Sequence, residues 1–154
     1  MKILVFGLPG AGKTWLSERL HQHITDCAWY NADKIREMAN DWDFTPEGRL
    51  RQATRMKNIA DFEKANHRWV ICDFVCPTQH TREIFAPDIK IWVDTISEGR
   101  FEDTNKMFEA PENFDYHVNH FMSDDEIQVM AETIVMIEES KTLEMLERKA
   151  GSIA

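Results

Sequence analysis

The chain has few of the features that mark membrane, secreted or metal-binding proteins. Its 154 residues contain no apolar run near the ~20 residues of a transmembrane helix. The amino terminus has neither a basic start nor a cleavage site, so a cytoplasmic protein is expected. The three cysteines (Cys27, Cys72 and Cys76) lack C-x-x-C spacing, and the histidines lack ligand spacing. These absences argue against a metal site built on thiols or imidazoles.

Basic residues are also scarce, with 18 lysines and arginines against 27 acidic residues and a net charge of −9. Phosphate contacts dominate affinity for DNA and RNA, so this balance disfavours a nucleic-acid partner. It leaves room for a small anionic substrate, such as a nucleotide, in one local basic pocket. There is no internal repeat or low-complexity segment, and the length predicts a single domain over residues 1–154.

The most informative segment present matches the phosphate-binding loop G-x-x-x-x-G-K-[ST], between an apolar strand-like run and a helical stretch. In such a loop the backbone N–H groups and the helix N-terminus bind nucleotide phosphates. The lysine would bridge the β- and γ-phosphates, and the threonine hydroxyl would hold Mg²⁺. The sequence therefore predicts ATP and Mg²⁺ at Gly7, Leu8, Pro9, Gly10, Ala11, Gly12, Lys13 and Thr14.

Strand-like and helix-like segments alternate along the chain, which predicts an α/β fold: three layers, with a parallel sheet of about five strands and helices on both faces. Strands are expected near residues 2–6, 28–30, 69–75, 89–94 and 116–118. Helices are expected near residues 13–24, 33–39, 46–66 and 78–85, with a C-terminal helix over 123–149. One face of the first helix is expected to carry Trp15, Leu16, Leu20 and Ile24.

Acidic residues follow three of the predicted strands, where α/β sheets bind their ligands. Asp33 comes after the second strand, with Arg36 one helical turn on, and is a candidate for orienting and deprotonating an acceptor hydroxyl. Asp73 ends the third strand and is a candidate to hold Mg²⁺ with Thr14. Asp94 has the same position after the fourth strand, where a cap or turn role is the simpler interpretation.

Arginines at positions 49, 51 and 55 mark the helix that begins after Thr45. Guanidinium groups bind phosphate and sulfate through two parallel hydrogen bonds, so such a cluster in an acidic chain indicates anion recognition. A solvated basic face explains Arg51 equally well.

With these residues identified, the chain resembles the adenylylsulfate kinases over most of its length. The shared segments are GLPGAGKT (7–14), YNADKIR (30–36), DFT with GR (43–49), VICDFVCP (70–77), VDT (93–95) and EAPEN (109–113). The resemblance implies a P-loop kinase that uses MgATP to phosphorylate the 3′-hydroxyl of adenosine 5′-phosphosulfate, commonly as a dimer. It implies that Phe44 stacks on the substrate adenine, that Arg49 binds the phosphosulfate, and that Arg36, Gln52 and Arg55 assist.

The sequence departs from the family pattern at two places near the expected site. Asn31 replaces the first acid of the family's acidic pair, and Asp73 stands where the family has alanine. The family's basic lid segment is missing, and residues 96–112 form a shortened polar replacement. In that lid, Arg100, Lys106 and Phe108 are expected to supply charge and stacking.

These departures leave other functions open. The same fold phosphorylates other hydroxyl acceptors, such as a nucleoside, a nucleotide or a nucleic-acid end. A nucleotide-binding regulatory ATPase is a more distant alternative. The segment Asn105–Phe108 is superficially similar to the guanine-reading N-K-x-D motif, but Phe108 occupies the position of the required acid.

Overall fold

Five strands alternate with six helices in residues 1–153, the part of the chain that the computed structural model describes. The strands are β1 (Lys2–Phe6), β2 (Cys27–Asn31), β3 (Trp69–Phe74), β4 (Ile89–Val93) and β5 (Tyr116–Val118). The helices are α1 (Lys13–His23), α2 (Ala32–Ala39), α3 (Pro46–Ala65), α4 (Gln79–Phe85), α5 (Glu102–Met107) and α6 (Asp124–Ile153).

All five strands are parallel and form one sheet in the order β2-β3-β1-β4-β5. Parallel neighbours need a crossover connection, and the helices between the strands supply it. The carboxyl ends of β1, β2 and β3 therefore lie side by side, with Asn31 paired to Asp73 and Val5 to the same aspartate. This edge of the sheet carries the phosphate-binding loop.

Helices cover both faces of the sheet, which confirms the predicted three-layer α/β fold. On one face α1 and α6 bury Leu16, Leu20 and Ile127 against β1 and β4. On the other face α3 buries Met56 and Ala60 against β1 and β3. Each fully buried aliphatic side chain contributes about 1.5–3 kcal/mol to folding.

The expected apolar face of α1 is correct for Leu16, Leu20 and Ile24, which are buried, but wrong for Trp15, which is half exposed. Trp15 lies in the first turn of α1. That turn borders the phosphate-binding loop, where a surface opens, so helical periodicity alone does not place its side chain in the core.

Two predicted helix starts are confirmed by their hydrogen bonds. The Thr45 hydroxyl accepts from the Gly48 amide at 3.2 Å at the start of α3. At the start of α6, the Ser123 hydroxyl accepts from the Glu126 amide at 3.2 Å, and the Glu126 carboxylate accepts from the Ser123 amide at 3.1 Å. Within residues 1–153, none of the helices combines the length and the hydrophobicity that a membrane span requires.

The shortened lid, residues 96–112, contains one short helix, α5. The Asn105 side chain accepts from the Gly99 amide at 2.8 Å and donates to the Gly99 carbonyl at 2.9 Å. This two-sided contact closes the segment before α5 into a compact turn. Arg49 of α3 also donates from Nη2 to the Thr104 hydroxyl at 2.9 Å, so the lid is joined to the layer beneath it.

Candidate functional site

The carboxyl edge of the sheet opens into a cavity of about 760 Å³. The phosphate-binding loop lies on one side of it, the β2–α2 junction and the 42–52 segment lie beneath, and the lid lies opposite. Its lining includes Pro9, Gly10, Gly12, Lys13, Thr14, Trp15, Asn31, Asp33, Arg36, Trp42, Phe44, Arg49, Gln52, Asp73, Cys76, Arg100, Phe101, Asp103 and Thr104.

The phosphate-binding loop connects β1 to α1 through a tight turn. Gly10 and Gly12 adopt φ values of 87° and 99°, a left-handed region that favours glycine. The Thr95 hydroxyl donates to the Ala11 carbonyl at 2.7 Å and ties the loop to the residues that follow β4. Because α1 begins at Lys13, its free N-terminal N–H groups face the cavity, which suits an anion.

Lys13 is held in the loop with its ammonium group pointing back to the turn. Its Nζ donates to the Leu8 carbonyl at 2.9 Å. Burial lowers the pKa of Lys13 to about 8, from an ordinary value of 10.5, and the negative charges of Asp73 and Asp33 partly oppose that shift. The free site therefore contains a cation whose charge an anionic ligand would stabilise.

This lowered pKa predicts a pH dependence of nucleotide capture. Above about pH 8 free Lys13 loses its proton, and a neutral amine attracts phosphate weakly, so kcat/KM for ATP is expected to fall as pH rises from 8 to 10. Bound phosphates raise the pKa again, so kcat at saturating ATP is expected to change less. Steady-state kinetics between pH 7 and 10 measure both. Arginine keeps its charge at these pH values, so kcat/KM of the Lys13→Arg variant should not fall between pH 8 and 10. A wild-type kcat/KM that stays constant to pH 10 would show that the protonation of Lys13 does not control nucleotide binding.

Thr14, Asn31 and Asp73 form a connected polar group beside Lys13. The buried Asp73 carboxylate accepts from Trp29 Nε1 at 2.6 Å and from Asn31 Nδ2 at 2.9 Å, and Asn31 Nδ2 also donates to the Thr14 hydroxyl at 3.2 Å. Burial raises the pKa of Asp73, and the two hydrogen bonds and Lys13 oppose that shift.

These oxygens fit the expected Mg²⁺. A hydroxyl and a carboxylate are hard oxygen ligands, and Mg²⁺ is commonly held by one or two protein oxygens together with substrate phosphates and water. The described residues contain no group of three or more acidic, histidine or cysteine side chains that would bind a metal unaided. Thr14 and Asp73, which Asn31 links, are the residues that would hold Mg²⁺.

Asp33 lies in the first turn of α2, exposed to the cavity. It makes no side-chain hydrogen bond to another described residue, whereas both Asp73 oxygens accept hydrogen bonds from protein donors. An unengaged carboxylate in the cavity is free to accept a hydrogen bond from a bound hydroxyl.

Two buried arginines flank Phe44 in the cavity wall. The guanidinium carbon of Arg36 lies 4.4 Å from the Phe44 ring centroid, and that of Arg49 lies 5.5 Å away. Arg36 Nη1 donates to the carbonyls of Asp41 and Asp43, and Arg49 Nε donates to the Phe44 carbonyl. These bonds hold the segment that presents Phe44, and they leave Arg36 Nε and Nη2 and Arg49 Nη1 without protein partners among the described residues.

Three residues predicted to bind the acceptor do not line this cavity. Arg55 is turned to Asp41 at 2.7 Å and to the Gln52 amide oxygen at 2.5 Å. Lys106 is exposed and lies 3.4 Å from Glu102 on the same helix. Phe108 packs against the core on the α3 side of the sheet, with its ring centroid 5.1 Å from the Arg82 guanidinium carbon. Gln52 does reach the cavity, but its amide donates to the Ala32 carbonyl at 3.1 Å.

Among the cavity-lining residues that the sequence prediction missed are Trp42, Phe101, Asp103 and Thr104. Phe101 precedes α5, and the Arg100 guanidinium carbon lies 5.5 Å from its ring centroid. Of the three lid residues expected at the site, Arg100 lines the cavity and Lys106 and Phe108 do not, whereas Phe101, which was not expected, does. The only sequence signal was an aromatic residue beside an arginine in an otherwise polar segment.

The family model for adenylylsulphate kinase matches residues 1–98, which include the phosphate-binding loop, Asp33 and the arginines that flank Phe44. No curated protein matches the chain significantly.

Solved structures share the fold at low identity. An adenylylsulfate kinase from Mycobacterium tuberculosis, in complex with AMPPNP and APS, aligns with a TM-score of 0.70 and 16% identity, covering 90% of this chain and 96% of that one. A gluconokinase from Sinorhizobium meliloti aligns with a TM-score of 0.65 and 14% identity, covering 93% of this chain and 96% of that one. A shikimate kinase from Aquifex aeolicus aligns with a TM-score of 0.61 and 13% identity, covering 93% of this chain and 99% of that one.

Proposed function

The chain belongs to the adenylylsulphate kinase family, and from that membership we propose that it transfers the γ-phosphate of ATP to the ribose 3′-hydroxyl of adenosine 5′-phosphosulfate. The product would be 3′-phosphoadenosine 5′-phosphosulfate. The observation that carries the proposal is that one cavity is lined both by the phosphate-binding loop, including Lys13 and Thr14, and by Asp33, Arg36, Phe44 and Arg49. A cytoplasmic location and a role in sulfate assimilation are proposed on the same ground.

The donor half of the cavity would hold the triphosphate. The loop amides and the N-terminus of α1 would bind the β- and γ-phosphates, and Lys13 would leave the Leu8 carbonyl to bridge them. Thr14 and Asp73 would hold Mg²⁺, which supplies positive charge that neutralises the phosphates. Fixed positive groups in a site that excludes water stabilise the transferring phosphoryl group more than water does.

On the acceptor side, Asp33 would accept a hydrogen bond from the 3′-hydroxyl and take its proton as the oxygen attacks. A bond forms between that oxygen and the γ-phosphorus, the bond from the γ-phosphorus to the bridging oxygen breaks, and ADP leaves. The remaining N–H groups of Arg36 and Arg49 would bind phosphosulfate oxygens, and the Phe44 ring would stack on the adenine. The lid, joined to Arg49 through Thr104, would help keep water out.

A second candidate is a kinase of the same fold that acts on another hydroxyl, such as that of a nucleoside or nucleotide. The shortened lid favours it, because Arg100 and Phe101 take the place of the family's basic lid segment. Arg49 also favours it, since two of its three nitrogens are already bound to protein oxygens. Family membership leaves the regulatory ATPase without a supporting observation.

An acceptor panel separates these candidates. The protein with MgATP would be given adenosine phosphosulfate, deoxynucleosides, gluconate, shikimate and 5′-hydroxyl oligonucleotides in separate reactions, and ADP release would be measured. Release above the no-acceptor rate is expected with adenosine phosphosulfate alone. Release with another acceptor and none with adenosine phosphosulfate would overturn the leading proposal. The homodimer that the family resemblance implies stays a prediction, which sedimentation velocity would test.

A further inference from the structure

The side chain of Asn31 joins three elements that meet beside the phosphate-binding loop. Asn31 is the last residue of β2 and also the residue that caps the start of α2. Its Oδ1 accepts from the Lys34 amide at 3.1 Å, while its Nδ2 donates to the Thr14 hydroxyl at 3.2 Å and to the Asp73 carboxylate at 2.9 Å. One amide side chain thus connects α2 with α1 and β3.

The hydrogen bond with Lys34 determines which way round the Asn31 amide lies. A backbone N–H group is only a donor, so the Asn31 atom that faces it has to be the oxygen. The NH2 group then faces Thr14 and Asp73, and its two hydrogens match the two acceptors there. Both donor hydrogens of the side chain are therefore engaged by groups beside the expected Mg²⁺.

The Asp73 carboxylate is buried, with 2% of the residue exposed, and protein donors fix its orientation. Asn31 lies directly opposite Asp73 in the parallel pairing of β2 with β3, and Trp29 lies two residues earlier on β2. Asn31 donates to one carboxylate oxygen, and Trp29 Nε1 donates to the other at 2.6 Å. With one protein donor on each oxygen, the carboxylate is held in a single orientation, and each oxygen keeps a lone pair for a cation.

We propose that Asn31 is a positioning residue that holds Thr14 and Asp73 together as the pair of Mg²⁺ ligands. The proposal rests on the Mg²⁺ assignment within the proposed function, and it is independent of which acceptor is phosphorylated. A carboxylate at position 31 would have no hydrogen to donate and would repel Asp73 in the free protein, so an amide suits this position. The amide at 31 and the acid at 73, both departures from the family pattern, thus form one linked pair.

Calorimetric titration with ATP, once with Mg²⁺ and once with EDTA, tests the proposal. Asn31→Ser keeps an oxygen that caps α2, but its single short hydroxyl cannot reach both Thr14 and Asp73. This variant is expected to bind MgATP about tenfold more weakly than the wild type and to bind ATP in EDTA within about twofold of it. Asn58→Ser is the matched control, because Asn58 is exposed on α3 and does not line the cavity.

A double-mutant cycle shows whether Asn31 acts through Asp73. Asp73→Ala alone is expected to weaken MgATP binding, because it removes the carboxylate that would hold the metal. Adding Asn31→Ser to that variant should weaken MgATP binding by no more than about twofold further, since no carboxylate is left to position. The two losses are therefore expected to be strongly non-additive.

Four outcomes would overturn the proposal. Wild-type MgATP affinity in Asn31→Ser would show that Asn31 does not position the metal ligands. Equal losses with Mg²⁺ and with EDTA would show that it supports only the loop. Additive losses in the double variant would show that it does not act through Asp73. If Mg²⁺ did not strengthen ATP binding to the wild type, the metal assignment itself would be wrong. Transfer to an acceptor other than adenosine phosphosulfate would overturn only the proposed function.

Discussion

Replacing Lys13 with alanine is expected to lower kcat by about 10²–10³-fold or more with any acceptor, because the variant loses the cation that neutralises charge on the transferring phosphoryl group. The folded structure should survive the change. Burial lowers the pKa of Lys13 to about 8, so keeping this lysine charged costs folding free energy below pH 8, and that cost disappears between pH 8 and 10.5. Alanine removes the cost, so the melting temperature at pH 7 should be unchanged or higher.

Single-turnover kinetics and thermal unfolding of the same samples measure both effects. Lys106→Ala is the matched control: Lys106 is an exposed lysine of the lid that lies outside the cavity lining, and its removal should leave kcat within about twofold of wild type. A Lys13→Ala variant with near wild-type turnover would show that phosphoryl transfer does not use this loop. Lost activity together with a lowered melting temperature would point to misfolding instead.

Replacing Asp33 with asparagine is expected to lower kcat by about 10²–10⁴-fold, the usual contribution of a general base, and to leave ATP affinity close to wild type. Asparagine keeps the shape of the side chain and its place at the start of α2, but it cannot take a proton. Asp33 is the carboxylate assigned this role because Asp73 is buried with both oxygens bound to Trp29 and Asn31.

Asp103→Asn provides the control for this second prediction. Asp103 belongs to the lid and also lines the cavity. A large loss of kcat in Asp103→Asn, together with a small loss in Asp33→Asn, would assign the general base to Asp103 instead of Asp33. Measuring kcat and KM separately is essential. A change in KM for the acceptor alone would mean that Asp33 binds the substrate without taking its proton.

The parts of the structure that follow from local rules could be predicted from the sequence. The strand–loop–helix context of residues 2–23, the Thr45 cap and the Ser123–Glu126 box each depend on neighbouring residues, and each is confirmed. Alternation of strands with helices was enough to predict a parallel sheet. A parallel sheet in turn collects the residues that follow its strands at one edge, which brings Asp33 and Asp73 to the same cavity.

Local rules could not predict which side chains of the lid face the cavity. The side chains that a short irregular segment turns toward a cavity are determined by contacts outside the local sequence pattern. Here those contacts are the hydrogen bonds between Asn105 and Gly99 and the hydrogen bond from Arg49 to Thr104. Those contacts turn Arg100 and Phe101 to the cavity and leave Lys106 in solvent. The position of Arg55 outside the cavity lining could not be predicted for a similar reason, because its partner Asp41 lies in a loop whose course the sequence pattern does not define.

The most direct measurement follows the labelled phosphate itself. With ATP labelled at the γ-phosphate, Mg²⁺ and adenosine 5′-phosphosulfate, wild-type protein should transfer the label to the 3′ position, giving 3′-phosphoadenosine 5′-phosphosulfate and one ADP per product. The Lys13→Ala variant should show at least about a hundredfold less. Absence of label in that product, together with label in a different acceptor, would contradict the proposed reaction.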